Sequence, residues 1–164
     1  MHLQLIDRDV AAFASRHRAS IQCHRGCGEC CHQTFKVSKP EGALLQAALA
    51  RLPAKQRAEV LARARAYQPD RRDPCPLLGP DHACLTYDDR PRICRKYGVP
   101  LWHPDRPHEL RSCRLNFCEG EDLAEDGEAW VEAQAAWAMD WIELRRGQGP
   151  AVNQSIAHWL TQPG

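Results

Sequence analysis

Most of the chemistry available to this chain lies in nine cysteines: Cys23, Cys27, Cys30, Cys31, Cys75, Cys84, Cys94, Cys113 and Cys118. Four of them fall in the ten residues CHRGCGECCH, 23–32. Thiols this dense serve one of three chemistries. Disulfides fit poorly, because the count is odd and a bond between the adjacent Cys30 and Cys31 would strain normal disulfide geometry. A nucleophile needs a thiol of lowered pKa with a base beside it. His24 and His32 are close enough in sequence to serve, but one nucleophile does not account for nine cysteines. Metal binding accounts for the number and the clustering together. Short gaps let one tight turn aim several sulfurs at a point, and distant cysteines then close the site. Gly26 and Gly28 suit such a turn, since glycine tolerates positive φ.

Four thiolates around Zn²⁺ or a [4Fe-4S]²⁺ core leave a net charge of about −2, so cations and N–H donors are expected near sulfur. Arg25, Arg90, Arg92, Arg95, Lys96, Arg111 and Arg114 flank the cysteines. A closed zinc site with four protein thiolates is structural, whereas an iron–sulfur centre suits electron transfer or redox sensing. An open metal position with His24, His32 or His103 near it would instead make a small metalloenzyme. Cys23-x3-Cys27-x2-Cys30 has the spacing of the radical S-adenosylmethionine signature. Glu29 stands where those enzymes carry an aromatic residue, and the chain is too short for most of a β/α barrel.

The elements that position these thiols are read from periodicity. A helix is expected over 3–21, with Leu5, Ile6, Val10, Phe13 and His17 on one side. Phe35 and Val37 give a weak extended signal. Ser38-Lys39-Pro40-Glu41 has the spacing of a capping box with proline in the first turn. It opens a helix whose apolar face is Leu44, Leu45, Ala48, Leu49 and Leu52. A second helix is expected over 54–67. Prolines recur through 69–118, which reads as loops and short turns. Helix returns over 121–146, where Trp130, Trp137, Trp141 and Leu144 form a stripe expected to pack inward. A short helix is expected over 151–161.

The 164 residues carry 22 basic and 21 acidic side chains, a net charge of +1. No global field steers the chain to nucleic acid or to an acidic membrane. No apolar run is long enough to span a bilayer, and the N-terminus lacks a secretory pattern. A cytoplasmic location, where thiols stay reduced, is expected.

Four segments then fall in a telling order: CGECC at 27–31, CPLL at 75–78, CLTYDDRPRICRKYG at 84–98 and CRLNF at 113–117. Together they resemble the YkgJ-type cysteine-cluster family, also called the CxxCxxCC or zinc- or iron-chelating domain. The resemblance implies a metal set of Cys23, Cys27, Cys30, Cys31, Cys75, Cys84, Cys94 and Cys113. Cys118 has no counterpart, and the first gap is three residues where the family name implies two. A related region occurs in flagellin lysine methylases, but no Gly-rich cofactor-binding turn is present here to carry methyl transfer over. Arg90 and Pro91 are expected to set a turn presenting Cys94, with Asp88 and Asp89 pairing Arg92 or Arg95 or capping that turn. Eight thiols permit two four-thiolate centres or one.

The expectation is therefore one mainly α domain over 1–164. An irregular cysteine-rich core at 23–118 is organised by zinc or iron, with helical flanks at 1–22 and 119–164. Its partner is a metal ion rather than nucleic acid or membrane.

Overall fold

Ser38 is where the local code is plainest. Its backbone N–H donates to the Glu41 carboxylate at 3.0 Å and its hydroxyl donates at 2.6 Å, closing the expected capping box. The helix that follows, α2, runs Lys39–Arg51. The computed structural model describes residues 2–103, 105–118 and 126–162. Among these the other helices are α1 (His2–Arg16), α3 (Ala54–Ala66), α4 (Arg92–Lys96), α5 (Gly127–Leu144) and α6 (Ile156–Thr161). Sheet is confined to two short antiparallel pairs, β1 (Lys36–Ser38) with β4 (Asn153–Ser155) and β2 (Leu101–His103) with β3 (Arg106–Arg111). The chain is mainly α.

It gathers into two compact units, each built from two separate stretches: 1–23 with 94–149, and 24–93 with 150–164. In the first unit, α1 and α5 bury Ile6, Phe13, Trp130 and Trp137 with Val99. Phe13 stacks on Trp130 with ring centroids 4.2 Å apart, and the Trp137 indole N–H donates to Asp9 at 2.9 Å. Buried aromatics of this kind combine large apolar area with a satisfied polar tip. The tryptophan stripe is thus core at its first two positions, while Leu144 is exposed. Buried Gln134 accepts the Trp102 N–H at 3.0 Å and donates to the Pro100 carbonyl at 3.2 Å, fixing β2 against α5.

In the second unit, α6 lies across α2 at Gly42. A Cβ there would come within 2.5 Å of the Trp159 ring. The Trp159 indole N–H donates to the Val37 carbonyl at 2.9 Å. Leu45, Ala48 and Leu49 face inward, with Val60 and Ala64 of α3.

Several expectations need correction. Helix α1 stops at Arg16, short of residue 21. The stretch 151–161 is not all helix, because Asn153–Ser155 pairs with Lys36–Ser38. The loop region 69–118 contains the β2–β3 hairpin and the single turn α4. Leu44 is exposed rather than part of the inner face. Of the helix expected over 121–146, residues 121–125 lie outside the described residues.

Candidate metal centre

The first cysteine loop turns as its glycines predict. Gly26 has φ 95° and Gly28 has φ 66°. A Cβ on Gly28 would sit 3.0 Å from the His82 carbonyl oxygen, so bulk as well as conformation favours glycine there. Cys27 N–H donates to the His24 carbonyl at 3.1 Å. A short 3₁₀ turn, Glu29–His32, follows Gly28 and carries Cys30 and Cys31. Cys75 N–H donates to the Cys31 carbonyl at 2.7 Å, which docks the second cysteine segment on the first. That segment folds back on itself. Leu85 N–H donates to Leu77 O at 2.8 Å, and Leu78 bridges Cys84, so Cys75 and Cys84 fall at the two arms of one tight loop.

All nine cysteines are free thiols. In the second unit, Cys30, Cys31, Cys75 and Cys84 lie close enough to influence one another: Cys31 acts on Cys30, Cys75 and Cys84 act on Cys31, and Cys30 acts on Cys84. The Cys30 thiol is held far above its ordinary range, first by its bond to Cys31 and then by burial. The Arg90 charge acts in the opposite direction. For Cys31 the bond from Cys30 favours the thiolate, but the bond to Cys75 and burial outweigh it. That thiol is pushed up to about 12. Burial also raises Cys84, against stabilisation by Thr86, whose hydroxyl is 3.7 Å from the Cys84 sulfur. Crowded, buried thiols resist ionising singly, because each thiolate repels the next. A bound cation reverses that cost.

Three other members of the expected set fall in the first unit: Cys23, Cys94 and Cys113. The Cys23 sulfur receives the Asn116 side-chain N–H at 3.3 Å. Cys94 lies in α4, and Cys113 is buried at the start of a turn closed by Asn116 N–H to Cys113 O at 2.9 Å. Cys118 is exposed and its S–H donates to Arg114 O at 3.3 Å. Among the described residues no three Cys, His, Asp or Glu side chains converge as the ligands of one ion would. The donor chemistry nonetheless fits zinc or iron. Cys30, Cys31, Cys75 and Cys84 supply soft sulfur donors within electrostatic reach of one another, with the Arg90 guanidinium and the Thr86 hydroxyl near them.

Arg90 meets the expectation of a cation near sulfur. Its guanidinium lies 3.5 Å from the Tyr87 ring centroid and its Nε–H donates to Tyr87 O at 2.9 Å. Other flanking charges are engaged elsewhere. Arg95 pairs with Asp7, Arg111 with Glu109 at 3.0 Å, and Asp89 with Arg51 at 2.7 Å. Glu41, rather than Asp88 or Asp89, receives the Arg92 N–H at the start of α4, at 2.9 Å. His24 and His32 are exposed, the former with Nδ1 2.8 Å from Arg25 O; the side chain of His103 lies outside the described residues. An open cleft of about 390 Å³ in the second unit is lined by Arg65, Tyr67, Ser155 and His158, and by none of the cysteines.

A family model for the CxxCxxCC domain, described as zinc- or iron-chelating, matches residues 22–119, more than half of the chain. The chain belongs to this family. No curated protein and no solved structure shows significant similarity to it. The match takes in all nine cysteines, the eight of the expected metal set and Cys118 at its edge. It also takes in Thr86 and Asn116, two hydrogen-bonding neighbours of sulfur to which sequence reasoning gave no role. Asn116 stood in the CRLNF segment, but nothing in the segment marks an amide as a donor to sulfur. No helix is long and apolar enough to cross a membrane, among the described residues.

Proposed function

We propose that this CxxCxxCC domain binds zinc or iron through Cys30, Cys31, Cys75 and Cys84. Cys23, Cys27, Cys94 and Cys113 complete the set that the family implies. What supports this is the backbone that gathers these thiols, with Cys75 N–H bonded to Cys31 O at 2.7 Å and Cys84 bridged to Leu78 in the same loop, and Cys30 and Cys84 within electrostatic reach of each other. When bound, zinc would act as a structural cross-link and iron, as a [4Fe-4S] cluster, would add one-electron chemistry. The chain's own contribution is to hold the thiols together on two backbone-tied loops and to offset their charge with Arg90. Thiol catalysis by Cys30, Cys31 or Cys84 is disfavoured, because a nucleophilic cysteine needs a lowered pKa and these three are raised. Free thiols suit a reducing compartment, so we place the protein in the cytoplasm as a single functional domain.

The test is anaerobic purification followed by a visible spectrum and metal analysis of the same sample. Brown protein with matching iron and acid-labile sulfide supports a cluster and a redox role. Colourless protein with one or two zinc ions supports a structural thiolate site. Protein with neither metal and most thiols free refutes metal binding.

A further inference from the structure

Cys23 is exposed as a residue, yet its sulfur is held. It sits against the Cα of Gly98, where a Cβ built on that glycine would fall inside the sulfur. Asn116, 3 % exposed, aims its amide at the same point. Its Nδ2–H₂ group donates to the Cys23 sulfur at 3.3 Å and also to the Gly98 carbonyl. Its Oδ1 accepts the Gln22 N–H at 2.8 Å, which fixes which end of the amide faces sulfur. A buried amide locked by three partners, two on the cysteine's own side, is more than a loop needs to close.

We infer that Asn116 is a positioning residue for Cys23 as a metal ligand, with Gly98 as the clearance that admits the sulfur. This rests on the metal-binding proposal above. A coordinated thiolate keeps lone pairs and negative charge, and an N–H donor stabilises both without competing for the metal. The same donor gives a neutral thiol less. Asn116 therefore favours the state in which Cys23 is bound. Gly98 has no strained φ; its role is space, so alanine there would displace the Cys23 sulfur outright and press the Asn116 amide, 3.2 Å from the new Cβ, by only a few tenths of an ångström.

The experiment measures release of the protein's own zinc or iron to excess EDTA, in wild type, Asn116→Asp and Gly98→Ala. Each variant is also made in a Cys23→Ala background. Asn116→Asp keeps the volume and the acceptor for Gln22 but removes the donor. Release should quicken about 10- to 100-fold in Asn116→Asp, the usual cost of losing such a supporting hydrogen bond. Gly98→Ala should behave likewise. In the Cys23→Ala background neither substitution should add to the release already caused by losing Cys23, since both act through that sulfur. Equal effects with and without Cys23 would show a merely structural role and overturn the inference, as would unchanged release in both variants while wild type holds metal. If Asn116→Asp does not fold, Gly98→Ala alone decides by the same comparison. Wild type that purifies without zinc or iron overturns the metal proposal itself, and the inference with it.

Discussion

The thiol of Cys31 offers the most direct quantitative check on the candidate centre. It is buried and raised to about 12 from an ordinary value of 9.0, because its bond to Cys75 and its burial outweigh the bond from Cys30. At pH 8 an ordinary thiol is about one-tenth ionised and Cys31 about one part in ten thousand, a thousandfold deficit in the reactive form. A more basic thiolate attacks a disulfide faster, with a Brønsted slope of about 0.4–0.5, which recovers roughly twentyfold. Ionisation alone should therefore slow Cys31 by about 50-fold, and burial adds to that. The assay treats metal-free, reduced protein with a small aromatic disulfide, quenches with acid at timed points, and maps each cysteine by mass spectrometry. Exposed Cys118 is the internal reference. The Cys31 rate should still climb about tenfold per pH unit between pH 9 and 11, where an ordinary thiol has levelled off. In strong denaturant the difference should vanish. Cys31 reacting within fivefold of Cys118 at pH 8 would refute the crowded, protonated thiol group. A Cys31 faster than Cys118 would favour the nucleophile that the raised thiols argue against.

Three further outcomes follow from the same contacts. Cys30, Cys31 and Cys84 are all raised, so each must release a proton on coordination. The logarithm of the apparent metal association constant should rise by at least about 3 per pH unit from pH 6 to 8, measured by chelator competition; a flat profile would show thiolates already formed. Gly42→Ala puts a Cβ 2.5 Å from the Trp159 ring and disturbs the Trp159 bond to Val37. Overpacking of about 1–3 kcal/mol and a strained hydrogen bond of about 1 kcal/mol, less about 1 kcal/mol for alanine's helix preference, leave a loss of about 2 kcal/mol in urea titration. Asp126, paired with Arg16 at 3.0 Å and His17 at 2.8 Å, has its carboxyl held below the usual 3.8, first by Arg16 and then by His17. A lowered carboxyl contributes stability above its unfolded value and loses it as pH falls through the folded one. Wild type should therefore melt higher than Asp126→Asn at pH 6, and the two curves should converge below pH 3.8.

Some of the fold was legible in the sequence because its causes are local. The capping box of Ser38 and Glu41 and the periodicity of α2 and α3 need only a few neighbouring residues, and they were found where expected. Pairing was not legible. Phe35 to Val37 give only three positions of extended signal, and the strand found at 36–38 has its partner at 153–155, beyond every local window. The same holds for Glu41. Its second oxygen binds the N–H of Arg92, fifty-one residues on, so a residue that caps one helix also anchors the start of another.

The candidate site divides along the same line. Cysteines declare themselves by type and spacing, and Gly26 and Gly28 by the turn between them. What holds each sulfur does not. Residues 74–84 carry Pro74, Pro76 and Pro80, which argue against a hairpin, yet Leu77 and Leu85 still bond across and bring Cys75 towards Cys84. Proline bars a continuous ladder but leaves room for two bonds, Leu85 N–H to Leu77 O and Gly79 N–H to Ala83 O, and these suffice when Cys75 is also tied to Cys31. Thr86 and Asn116 look like ordinary loop polar residues until the sulfur beside them is known. Gly98 has no positive φ to mark it, and only the structure shows that a Cβ there would fall on the Cys23 sulfur. A sulfur ligand is thus visible from sequence, whereas its supporting contacts come from chain segments 2 to 93 residues away and become visible only once the backbone has placed them.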